Sequence, residues 1–149
     1  MSARKTLPWY RVALVREKPE AAYSGGPFTV SAEVNAYLQP YFADRDREQF
    51  LVIALDGKGR PTGCHRVSEG TLTASLVHPR EVFKVALLLN AATLIVAHNH
   101  PSGDPTPSSE DIALTRRLVD AGNLLGVRVI DHIIVGAGFY VSFADTGRL

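Results

Sequence analysis

Residues 98–111 read HNHPSGDPTPSSED. His98 and His100 stand at the end of an apolar run, Ala92-Thr93-Leu94-Ile95-Val96-Ala97, and Asp111 follows a stretch of Pro, Gly and Ser. Two imidazoles and one carboxylate can hold a catalytic zinc and leave one position open for water. Side chains at i and i+2 of a strand point to the same side, so both histidines could aim a ring nitrogen at one point. Pro105 and Pro107 stiffen the return of the loop. Asp111 would then face back from the first turn of the next helix. Water on such an ion has a pKa near ~7 instead of about 15.7, which makes hydroxide available at neutral pH. Iron(II) is a rival, since two histidines and a carboxylate also form a facial triad. The plainer account makes Ser108 a helix cap and Asp111 an acid favoured by the helix dipole.

The elements that must position these groups are legible from periodicity. Phe50–Leu55 and Thr93–Ala97 are short, nearly continuous apolar runs, the mark of strands buried on both faces. Asp56–Gly59 reads as a hairpin turn, with a further strand near Thr62–Ser68 and a short segment over Thr71–Val77. Tyr10–Val15 alternates enough for a first strand, placed at an edge. Ser31 is the expected N-cap of a helix to about Phe42, with Val34, Leu38 and Tyr41 as its stripe; Pro40 argues for an end near there. Pro79 suits the first position of a helix whose body is Val82–Asn90. Ser108 or Ser109 caps a helix to about Leu125, with Ile112, Leu114, Leu118, Val119 and Leu125 apolar, and Gly126 as its stop. Val127–Val135 and Phe139–Phe143 form a hairpin. Strands alternating with helices predict a three-layer α/β sandwich with a mixed sheet. The division expected is an arm with an edge strand over 1–26 and one domain over 27–149.

The chain has 149 residues, 16 basic against 15 acidic, for a net charge of +1. No block of like charge appears, so nucleic-acid binding gains no support from charge. Cys64 is the only cysteine, which excludes an internal disulfide and points to a reducing, cytoplasmic setting. No signal peptide and no apolar run near ~18 residues is present, so no membrane partner is expected. The oligomeric state is not legible.

Other metal signatures are missing. No H-E-x-x-H occurs, which excludes helix-borne zinc peptidases. No P-C-x-x-C occurs, which argues against a zinc nucleobase deaminase. Cys64-His65 reads as a buried strand thiol and its neighbour. His132 reads as a core or supporting histidine, and Asp131 as a carboxylate that could orient an imidazole.

His98-x-His100, seven residues, Ser108, two residues, Asp111 resembles the JAMM motif of MPN/JAB-domain metalloproteases. The words VHPREVFKVAL, AHNHPSGDPTPSSEDIALTRRL and LGVRVIDHIIVG resemble the bacterial RadC (JAB) family, over about Pro27 to Ser142. The resemblance implies a mixed sheet with helices on both faces, related to the cytidine deaminase architecture. It implies one zinc per chain on His98, His100 and Asp111, an oxyanion donor at Ser108, and a general base before an early buried strand. Glu48, in REQFLVIAL, matches that base; Glu69 and Glu81 are its alternatives, and Glu81 is better explained as a helix-start charge. The activity implied is a zinc-dependent peptidase or isopeptidase acting on a peptide or protein substrate. A DNA-repair or mobile-element accessory module, or a metal-dependent nuclease, is the alternative. Longer family members carry an N-terminal helix-hairpin-helix, a DNA-binding element. Residues 1–30 show no such pattern, so a stand-alone domain is expected.

Overall fold

A computed structural model describes residues 1–70 and 77–149. Among these residues the elements are α1 (Ser31–Phe42), β1 (Gln49–Leu55), β2 (Pro61–Glu69), α2 (Pro79–Leu88), β3 (Thr93–Asn99), α3 (Ser109–Leu125), β4 (Arg128–Val135) and β5 (Tyr140–Ser142). The segment expected over Thr71–Val77 lies outside the described residues except at Val77, which is buried.

The strands form one sheet in the order β2-β1-β3-β4-β5. Only β3 and β4 run parallel; the other neighbours are antiparallel. The parallel pair needs a crossover, and α3 supplies it. The sheet is therefore mixed and the architecture α/β. Helix α1 covers one face through Val34, Leu38, Tyr41 and Phe42, against Leu51, Ile53, Ile95 and Ile133. Helices α2 and α3 cover the other through Val82, Phe83, Leu114 and Leu118, against Phe50, Val52, Leu94 and Val96. Strand β1 is buried along its whole length, as its unbroken apolar run requires.

Several local expectations change. Tyr10–Val15 forms no strand, and Tyr10, Val12 and Val15 are exposed; alternation cannot make a strand without a partner edge. Ser31 is the first residue inside α1 and not its cap. Glu33 starts that helix by accepting from the Val30 N–H at 3.2 Å and the Thr29 N–H at 2.6 Å. The Ser31 hydroxyl instead meets Tyr140 and Asp145. Pro40 is tolerated inside α1, which ends two residues later. The buried stripe of α3 is Asp111, Leu114, Thr115, Leu118 and Gly122, while Leu125 is exposed. Cys64 lies on β2, opposite Ile53, in an exposed residue position, yet burial pushes the pKa of its thiol, hydrogen-bonded with Tyr37, up to about 11.

Candidate metal centre

The site forms where β3 ends and α3 begins. His98 lies inside β3, one residue past the run that predicted the strand, and is fully buried. His100 follows on the same side. Its backbone N–H still donates to the Val135 carbonyl of β4 at 2.9 Å, so the strand direction is kept through the pair. The loop then turns at Gly103, whose φ is +89°, and returns through Pro105 and Pro107 to α3. Ser108 caps that helix. Its Oγ accepts from the Asp111 N–H at 3.1 Å, and the Asp111 carboxylate accepts from the Ser108 N–H at 2.9 Å. This reciprocal capping box fixes Asp111 in the first turn, on the buried stripe.

The three side chains converge. His98 Nε2 and His100 Nε2 are 3.1 Å apart. Asp111 places Oδ1 3.2 Å from His98 Nε2 and Oδ2 3.2 Å from His100 Nε2. Donors about 2.0–2.1 Å from one tetrahedral ion lie roughly 3.3 Å from each other, so the spacing suits a small divalent metal. The donor chemistry agrees. His100 Nδ1 is 2.8 Å from the Asp104 carbonyl; a carbonyl only accepts, so Nδ1 carries the proton and Nε2 of the neutral ring offers a lone pair. Donor atoms this close to one another and to a carboxylate require a cation, either a proton or a metal.

The electrostatics follow from this crowding. The hydrogen bond to Asp111 raises the His100 pKa against the opposing effect of burial, and the charge of Glu48 adds to the rise. Burial alone would raise the Asp111 carboxyl, but the hydrogen bonds with His100 and His98 hold it far below the usual carboxylate range. Behind the cluster, His98 Nδ1 is 2.8 Å from His132 Nε2, and His132 Nδ1 is 2.6 Å from Thr115 Oγ1.

A RadC-like JAB domain model matches residues 28–148. The chain belongs to this family. The JAB domain is 54% identical over 122 residues to a UPF0758 protein of Pelobacter propionicus, covering 82% of this chain and 53% of that protein. It is 57% identical over 113 residues to one from Symbiobacterium thermophilum, covering 76% and 48%. For one from Methanosarcina acetivorans the identity is 50% over 115 residues, covering 77% and 50%. The chain thus spans about half the length of the curated relatives it matches.

Within the JAB domain, Glu48 stands just before β1. Phe50 is the partner of His98 in the antiparallel register. Glu48 stands two residues before Phe50 in the chain, near enough for its charge to act on His100. Glu48 is half-buried, and its carbonyl accepts from Gly70 N–H at 2.8 Å. Gln49 is tied in place by its N–H, which donates to the Asn99 side chain at 2.8 Å. Of the alternatives, Glu69 accepts from the Gln49 side chain at 3.3 Å on β2, and Glu81 pairs with Lys84 at 2.6 Å on α2. Ser108 is exposed at the mouth of the cluster. Its Oγ caps the helix with a lone pair, so the hydroxyl proton remains available to donate.

One residue differs from its sequence reading, and another had none. Asp131 orients no imidazole. It accepts from the Ser142 hydroxyl at 2.6 Å, from Ala144 N–H at 3.0 Å and from His132 N–H at 2.7 Å, tying β4 to the turn after β5. Thr115 was not anticipated at all. Its one signal was its position four residues after Asp111, which puts both on one helix face.

Among the described residues, no helix is long and apolar enough to cross a membrane.

Proposed function

We propose that this domain is a zinc-dependent hydrolase of amide bonds, a peptidase or isopeptidase, with one zinc held by His98, His100 and Asp111. The single observation carrying the reading is the convergence of these three donors at tetrahedral-ligand spacing, in a JAB-family domain. Zinc, when bound, supplies Lewis acidity, polarising the scissile carbonyl and lowering the pKa of water to ≈ 7.

The remaining roles fall to the chain. Glu48, whose charge acts on His100, takes a proton from the attacking water and passes it to the leaving nitrogen. Ser108 donates its hydroxyl proton to the developing oxyanion. A groove of about 300 Å³ beside His100, lined by Gln39, Phe42, Arg45, Asn99 and Gly138, gives an extended peptide a path to the site.

The test is a panel of peptides and lysine-linked isopeptides, incubated with zinc-loaded protein and with chelator-treated protein. Cleavage that stops with chelator and returns with zinc is the expected result. Failure of the protein to take up zinc would overturn the reading. Chelator-sensitive DNA cleavage with every amide intact would replace it with a nuclease.

A further inference from the structure

His132 and Thr115 lie behind the metal ligands, and the proposed chemistry leaves both unassigned. Each is polar, and each is at most 1% exposed. Such groups are costly to bury unless their hydrogen bonds are complete. Aromatic rings hold His132 on two sides: Phe143 stacks at 4.8 Å between centroids with planes 21° apart, and Phe50 meets it edge-on at 5.6 Å. The ring is therefore fixed, and its two nitrogens have one partner each.

The proton order can be read from the end of the chain. Thr115 Oγ1 is 2.6 Å from the Asp111 carbonyl. A carbonyl oxygen only accepts, so the single hydroxyl proton of Thr115 points there. At 2.6 Å from His132 Nδ1, Thr115 Oγ1 must then accept, and His132 carries its proton on Nδ1. His132 lies between two phenyl rings, and its nitrogens meet only Thr115 and His98, so no carboxylate meets them to offset a buried positive charge and the ring is neutral. Its Nε2 therefore bears a lone pair, which accepts from His98 Nδ1–H at 2.8 Å. That leaves the lone pair of His98 on Nε2, facing His100 and Asp111. The reverse order would turn the Thr115 proton to His132 and leave two acceptor oxygens 2.6 Å apart with no proton between them.

We propose that Thr115 and His132 are positioning residues that lock His98 in its Nδ1–H form and so present Nε2 to the metal. The device closes on itself, because the carbonyl that sets the order belongs to Asp111, another ligand of the same cluster. It also explains how a residue of β4 reaches the site. β4 carries an extra residue, Ile130, between the partners of Leu94 and Ile95. This bulge turns His132 onto the face of His98, as bulges re-aim side chains elsewhere.

This inference rests on the zinc reading, and two measurements separate the two claims. Long-range proton–nitrogen NMR correlations on ¹⁵N-labelled, metal-free wild-type protein report which nitrogen of His132 is protonated. Nδ1–H is expected, and Nε2–H would overturn the relay whether or not zinc binds. Zinc affinity by chelator competition is then compared for wild type, Thr115→Val and Thr115→Ser. Val fills the space of Thr without the hydroxyl, and Ser keeps the hydroxyl without the methyl. Thr115→Val is expected to weaken zinc binding about 10–100-fold, the usual effect of losing an outer-shell partner, and Thr115→Ser to restore it. A packing role reverses that order. Equal affinities across the three proteins would end the relay and leave the zinc site standing. A wild-type protein that binds no zinc would end the zinc reading, with the NMR result still deciding the proton order.

Discussion

Phe50 lies nearly flat against His98. The two are register partners across β1 and β3, and their rings stack with centroids 5.9 Å apart and planes 16° apart. One fully buried aromatic thus supports the most deeply buried metal-ligand candidate and also touches His132. Phe50→Ala is expected to cost about 3–5 kcal/mol of unfolding free energy, the usual range for a buried Phe truncated in a core. Urea denaturation measures it, and a loss below about 1 kcal/mol would show that the ring is not a support.

Glu48→Gln keeps size and polarity and removes the base. Zinc content should match wild type while turnover falls by about 10²–10⁴, the range for a lost general acid–base group. Elemental analysis and kinetics on one preparation check both. Full turnover by the metal-loaded variant would move the base elsewhere.

Ser108 has two roles that separate chemically. Ser108→Ala should lose about 0.5–2 kcal/mol of stability as a cap and about 10²–10³ in rate as an oxyanion donor. Ser108→Asp can cap the helix but, ionised, has no proton to donate. It should recover melting temperature and not turnover; recovery of both would refute the donor role.

The His100–Asp111 pair makes metal-free stability pH-dependent. His100 is raised in the fold, so its contribution is complete below its ordinary value of about 6.5 and is lost as pH climbs through the folded value. Asp111 is lowered, so its contribution is complete above about 3.9 and is lost as pH falls. Zinc competes with the His100 proton. The zinc-induced rise in melting temperature should therefore grow with pH across and above 6.5. Melts with and without zinc over that range test it, and a pH-independent zinc effect would contradict the pairing.

Gly136 lies under the ligand loop. A Cβ there would meet the Gly103 carbonyl oxygen at 2.3 Å and Pro105 Cδ at 2.8 Å. Gly136→Ala must push the His100–Asp111 loop outward. Overpacking of this kind costs about 1–3 kcal/mol, and zinc affinity should fall with stability. Unchanged affinity in a chelator competition would show that the loop position does not matter.

The parts legible in the sequence were those set by local physics. The strands β1 and β3 followed from unbroken apolar runs. The Ser108–Asp111 start followed from cap chemistry three residues apart. What was hidden depended on distant partners. Tyr10–Val15 has the composition of a strand but nothing beside it. Ser31 has the chemistry of a cap, yet Glu33 performs it, leaving the hydroxyl to Tyr140 across 109 residues. The direction of His132 depends on a bulge against β3, which no pattern within β4 announces. Asp131 looked like an orienting carboxylate until the turn after β5 claimed its oxygens.

The capping box at Ser108 and Asp111 also constrains how this domain can decay. A copy released from selection for chemistry no longer needs a base at Glu48. Asp111 is different, because the carboxylate that meets His98 and His100 also begins the helix that crosses between β3 and β4. Replacing it weakens the fold, so selection for a folded protein alone would preserve it. In a lineage that keeps only the fold, Asp111 should persist.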